Sequence, residues 1–207
     1  NGGRNNIMVG YAAGRCITSG CSNVLMGDNV ASQITTGCSN VALGLEAMQL
    51  LTTGCNNVAV GYKALKALTT ASCNVAVGYE TLCKNTSGAF NVVMGYQAGF
   101  CNITGQKNIF IGRCAGYGST SDGVSGEKSV IIGDESGKCL TTGDNNTLVG
   151  YASGNSITTG NNNVILGPNT GGSLTTGNSN IFIGPGTGHA VTGSDTILIG
   201  SGAGNSS

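Results

Sequence analysis

The chain has 207 residues, of which 37 are Gly, with nine basic side chains balancing nine acidic ones, one His, no Trp and two Pro. Sparse, balanced charge removes the electrostatic ground for binding nucleic acid or an anionic membrane. No run approaches the ~18 apolar residues of a bilayer span, and apolar content of 39% is too high for a disordered Gly/Ser linker.

A pattern of Asn, three apolar residues and Gly recurs from end to end, with its Gly at Gly10, Gly27, Gly44, Gly61, Gly78, Gly95, Gly112, Gly133, Gly150, Gly167, Gly184 and Gly200. The differences are 17 six times, then 21, then 17 three times, then 16. The unit is therefore 17 residues long, with four extra residues in the seventh copy and one deletion near the end. Numbered from its Asn, the unit has Asn at position one in ten copies: Asn6, Asn23, Asn40, Asn57, Asn74, Asn91, Asn108, Asn146, Asn163 and Asn180. Ser129 and Thr196 are the exceptions. A short β-branched run closed by Gly predicts a strand and a turn in every copy.

In chain order, the first two units read Asn6-Ile7-Met8-Val9-Gly10 and Asn23-Val24-Leu25-Met26-Gly27, the second closing on Ile34-Thr35-Thr36-Gly37. The third to fifth carry helix-forming stretches after their Gly: Leu45 to Leu50, Tyr62 to Ala67 and Tyr79 to Lys84. These stretches admit a single helical turn per coil, and no long helices. The seventh unit holds the insertion, within residues 113–128. Residues Asn1 to Asn5 fill the last five slots of a preceding unit and Ser207 falls partway through the twelfth, so both ends read as lying inside a longer array without caps.

A unit of 17 residues cannot bury its own apolar face, so the copies must stack. Parallel stacking at about 4.8 Å turns each position into a column. The expected fold is an all-β, parallel β-solenoid of about twelve 17-residue coils over residues 1–207, one domain and a rod on the order of 55–60 Å long. The hand stays open. Asparagines in a column hydrogen-bond to each other along the axis, as in cross-β ladders.

Positions two and four share one face of the strand, and position three points the other way. Position three reads Met8, Leu25, Ala42, Ala59, Ala76, Val93, Phe110, Ile131, Leu148, Ile165, Phe182 and Leu198, none of them polar. With positions two and four turned into the coil, this column would be an apolar stripe of several hundred Å² on the outside, more than a monomer normally exposes. The favoured reading is self-association along it, as a homotrimer. The alternative packs position three inward, against positions six to eleven.

Among residues that suggest chemistry, the nine cysteines come first. Cys21, Cys38 and Cys55 share a column, and Cys73 falls one slot later. The cysteines read first as reduced small core or turn residues; these four are also candidate disulfide partners, coil to coil or chain to chain, though in-register strands aim their side chains poorly for it. No short Cys pair of metal-site spacing occurs, and no cofactor or metal is expected. Gly184 to Gly188 lacks the Lys and helix of a phosphate loop and reads as a turn. His189 reads as a surface residue, and the four glycosylation sequons at Asn85, Asn102, Asn145 and Asn205 as chance. The Thr column raises an ice-binding surface, but adjacent Thr residues point oppositely and leave one outward rank. Tyr11, Tyr62, Tyr79, Tyr96 and Tyr151 form a broken aromatic column able to meet glycans or protein. Loops carry recognition more often than scaffolds, so Tyr117, Ser119, Thr120 and Asp122 of the insertion are the receptor-contact candidates.

The stretch Asn57-Val58-Ala59-Val60-Gly61-Tyr62-Lys63-Ala64-Leu65, followed by Leu68-Thr69-Thr70, resembles the repeat of tail-fibre and surface-fibre proteins of phages and large DNA viruses. Such proteins often end in an intramolecular chaperone domain that cuts itself off. Asn-Val-Ala-Val-Gly is also similar to the head repeat of trimeric autotransporter adhesins, whose β-rolls assemble as trimers; the 17-residue period and the cysteines depart from that pattern. The resemblance covers the whole chain and implies a trimeric, elongated, non-enzymatic attachment structure on a virion surface or outside a cell, with no membrane insertion and a host receptor or glycan as partner. The alternatives are an adhesin head and a monomeric ice-binding solenoid. Enzymatic function ranks last, since no acid–base pair or nucleophile stands apart from the columns.

Overall fold

A computed structural model describes residues 3–118 and 124–205. Twelve three-residue strands follow one another: β1 (Ile7–Val9), β2 (Val24–Met26), β3 (Val41–Leu43), β4 (Val58–Val60), β5 (Val75–Val77), β6 (Val92–Met94), β7 (Ile109–Ile111), β8 (Val130–Ile132), β9 (Thr147–Val149), β10 (Val164–Leu166), β11 (Ile181–Ile183) and β12 (Ile197–Ile199). They form one parallel sheet in sequence order, each strand in register with the next, as Val58 with Val75 and Ala59 with Ala76. The protein is a β-solenoid of about eleven turns between these strands, and coil n is the unit containing βn.

The rest of each coil stacks by the same logic. Its backbone N–H groups reach to the next coil at matching columns: Gly14 to the Val30 carbonyl at 3.0 Å, Thr18 to Thr35 at 2.9 Å, Val24 to Asn40 at 2.8 Å. The glycines that close the strands explain themselves here. Gly10 has φ of 127°, and a Cβ on it would lie 2.4 Å from the Gly27 carbonyl oxygen. Backbone packs on backbone along this column, and no side chain fits.

The helical turn that the sequence admits in coils 3 to 5 does not form. Glu46, Met48, Lys63, Leu65, Glu80 and Leu82 take left-handed conformations, with φ between 50° and 57°. Two successive turns replace the helix, with Ala47 N–H on Gly44 and Gln49 N–H on Glu46, both at 3.3 Å. Meanwhile Met48 and Leu50 N–H leave the coil for the Ala64 and Lys66 carbonyls at 2.9 and 3.1 Å. A helix would use those donors internally and advance along its own axis. Stacking requires a chain kept in one thin layer, and it overrides local propensity.

The core lies between the strand and this corner. Leu25, Ala42, Ala59, Ala76, Val93, Phe110, Ile131, Leu148, Ile165 and Phe182 are fully buried within one chain. Position three is therefore not the interface that the sequence reading favoured; Met8 and Leu198 are more exposed only because they belong to coils 1 and 12. The partner of position three is position nine. Where position three is Ala (Ala42, Ala59, Ala76), position nine is Met48, Leu65 or Leu82; where it is large, position nine is Gly or Ala. A Cβ on Gly116 would come within 2.8 Å of the Phe110 ring, and one on Gly188 within 2.6 Å of Phe182. The two columns share one fixed volume, filled from one side or the other.

Position twelve completes the core with Ile34, Leu51, Leu68, Leu140, Ile157 and Leu174. Asn85 and Asn102 interrupt it. Both are fully buried, and their amide nitrogens and oxygens have no hydrogen-bond partner among the described residues. Each such group costs about 1–3 kcal/mol. Replacing both by Leu, the residue of neighbouring coils, is expected to raise stability by about 2–4 kcal/mol. Chemical denaturation reads this directly, and an unchanged or lower midpoint would contradict it. Burial also puts these two sequons out of reach of a glycosyl transfer to the folded chain.

Candidate functional site

With position three inside, positions two and four face out. Twenty-three of these 24 residues are apolar, Thr147 being the exception. None is buried: Ile7, Val9, Met26, Val92, Met94, Ile109, Ile111, Ile197 and Ile199 are exposed, and the others half-exposed. Among the described residues no charged side chain falls on a strand. The result is a smooth apolar face running the length of the sheet, roughly 50 Å by 10 Å, on the order of 500 Å². That is at the upper end of what a soluble monomer exposes. The outward apolar stripe is formed by positions two and four, not by position three as the sequence reading favoured.

Behind that face stands a polar spine. Asn23 N–H and Nδ2 both donate to Asn6 Oδ1, at 2.9 and 3.0 Å, and Nδ2 also donates to the Gly37 carbonyl at 2.9 Å. The same three bonds recur at Asn40, Asn57, Asn74, Asn91, Asn163 and Asn180. Asn108 keeps two of them, on Asn91 and Gly126. In coil 8 Ser129 stands in; its N–H donates to Asn108 Oδ1, and its Oγ accepts from Asn146 N–H at 3.2 Å. Each amide oxygen thus accepts the N–H of the residue just before the next strand, which fixes register between coils.

The aromatic column is continuous over coils 4 to 6. Tyr62 and Tyr79 stack at 5.0 Å, and Tyr79 and Tyr96 at 5.1 Å and nearly parallel. Stacking occupies the ring faces that a sugar would use, and the Lys63 ammonium lies 4.7 Å from the Tyr62 centroid. The Thr column is spent similarly. Thr18, Thr35, Thr52, Thr141 and Thr158 each donate Oγ1–H to the carbonyl one coil on, at 3.0–3.2 Å. The next rank, with Thr36, Thr53 and Thr70, is exposed, whereas Thr35, Thr52, Thr141 and Thr158 are half-buried.

Of the receptor-contact candidates, Ser119, Thr120 and Asp122 lie outside the described residues. Tyr117 is half-buried and stacks on Phe100 at 5.4 Å and 7°. His189 is exposed, its N–H donating to Asn205 Oδ1. Gly186 and Gly188 take left-handed turns at positions seven and nine of coil 11. Arg113 pairs with Asp134 and Glu135, and Lys138 with Glu135, at 3.0–3.3 Å on the exposed corner.

All nine cysteines are free thiols. Cys21 and Cys38 sulfurs are 2.7 Å apart; among the described residues Cys55 Sγ makes no hydrogen bond to another sulfur, and Cys73 is exposed one slot along. Burial pushes the Cys83 and Cys114 thiols up, away from the reactive thiolate. Among the described residues no group of three or more His, Cys, Asp or Glu side chains could hold a metal ion, and no helix is long and apolar enough to cross a membrane. No family model, curated protein or solved structure matches the chain.

Proposed function

We propose that this chain is a shaft segment of a surface attachment fibre of the viral or phage kind, assembled as a homotrimer and acting by reach and multivalency rather than by catalysis. One observation carries the reading: an uncharged apolar sheet face running along all twelve strands. Three copies packed about a common axis cover it on every chain, with Val24, Val58, Val75 and Val164 and their neighbours at the contact. The charged corners and Tyr column then face solvent. A rigid threefold rod multiplies weak contacts with a host-surface receptor or glycan without strengthening any one of them. Its place is the virion surface or the outside of a cell. An adhesin head would use the same assembly. The ice-binding monomer is less well supported, because one Thr rank is consumed in intercoil bonds.

Light scattering on a size-exclusion column tests the assembly. The expected mass is three times 20.5 kDa, with or without reductant. Val58→Lys with Val164→Lys, both outward-facing, should bring the mass to that of one chain while the β-sheet circular dichroism stays. A native chain that runs as an elongated monomer would overturn the fibre reading.

A further inference from the structure

In seven coils position sixteen holds a side chain that accepts the backbone N–H of its counterpart one coil earlier; Ala89 of coil 5 does not. Asp144 accepts from Glu127 at 2.7 Å, Asn161 from Asp144 at 2.8 Å, Asn178 from Asn161 at 2.8 Å, and Ser194 from Asn178 at 2.9 Å. In coil 4 Ser72 accepts from Cys55 at 3.0 Å. The sulfurs of Cys38 and Cys55 do the same for Cys21 and Cys38, both at 3.1 Å. Acceptor duty explains why the slot is polar or soft in those coils. It does not explain three consecutive thiols, because sulfur is the weakest acceptor of the set.

A second observation separates one pair from the rest. Cys21 Sγ lies 2.7 Å from Cys38 Sγ, inside van der Waals contact. Cys38 and Cys55 sulfurs also face their own loop carbonyls, Thr36 and Thr53, at 3.5 Å. Parallel coils set consecutive Cα atoms about 4.8 Å apart, within the ~4.4–6.8 Å that a disulfide spans. Both residues are half-exposed, so a small reagent reaches them.

We propose that Cys21 and Cys38 are a reversible dithiol–disulfide site that staples coil 1 to coil 2, closed by exchange with a small-molecule disulfide. The Cys38 thiolate attacks one sulfur of the reagent, breaking its S–S bond and releasing one thiolate. Cys21, deprotonated in turn, attacks the Cys38 sulfur of the mixed disulfide and expels the second. Two protein thiols are oxidised, the reagent is reduced to two thiols, and the two protein protons pass to the leaving thiolates. Cys55 stays a thiol and keeps its acceptor role.

The test is peptide mapping of the native chain after exposure to oxidised glutathione, unfolding and alkylation of the remaining thiols. The expected dominant product is one Cys21–Cys38 linked peptide, lighter by two hydrogens, that reverts with reductant. Cys38→Ser should abolish it, and Cys55→Ser should leave it unchanged. Both variants should fold, because Ser72 and Ser194 already fill this slot. Absence of the linked peptide, its survival in Cys38→Ser, or an equal yield of Cys38–Cys55 linkage would overturn the proposal.

Discussion

Phe110→Ala is expected to destabilise the solenoid by about 3–5 kcal/mol, and Gly116→Leu to restore much of that loss when added to it. Phe110 is fully buried, and its ring fills the space that Gly116 leaves open on the facing corner. Alone, Gly116→Leu drives a side chain into that ring and sets Leu at φ of 56°. Overpacking and left-handed strain together cost about 2–4 kcal/mol. Coils 4 and 5 already run the opposite arrangement, Ala59 facing Leu65 and Ala76 facing Leu82. The double variant should therefore be more stable than the sum of the two losses by at least about 2 kcal/mol, measured as a double-mutant cycle in denaturant. Additive losses would mean that the two columns do not share a volume, and the account of the core would fall.

Asn57→Ala is expected to lose about 3 kcal/mol although it removes no apolar contact of note. Asn57 Nδ2 donates to the Ala71 carbonyl at 3.0 Å, and its Oδ1 accepts from Asn74 N–H and Nδ2 at 3.0 and 3.3 Å. Truncation strands the Ala71 carbonyl and the Asn74 N–H in the interior, at about 1–3 kcal/mol each. Asn57→Ser should lose roughly half as much. Ser129 shows why: its hydroxyl keeps the bond from the next coil's N–H. Equal losses for Ala and Ser, read from unfolding midpoints, would assign the column to shape filling instead of hydrogen bonding.

Disagreements between sequence and structure come from long-range terms. The stretch Tyr62 to Ala67 has helix-forming composition, yet Lys63 and Leu65 adopt left-handed turns because their own N–H groups are claimed by adjacent coils, at Leu45 and Thr81. Asn85 and Asn102 looked like chance glycosylation sites, and only coil closure reveals them as buried. The close contact between the Cys21 and Cys38 sulfurs depends on side-chain placement that a shared column does not specify. One decisive signal did lie in the residues: position nine is large only where position three is Ala. It becomes readable once the corner is known to face the strand.

By itself the sequence determined the period, the strand positions, the Asn spine and the parallel stack, because a 17-residue repeat of β-formers and Gly can bury itself only against its own copies. The tertiary structure decided which strand face is inside. Alternation cannot say so when both faces are apolar, since the period-two rule needs one polar face to break the tie. What broke it was volume. The coil closes on position three because positions nine and twelve fill the space opposite, and that turns positions two and four outward as the surface on which the fibre proposal rests.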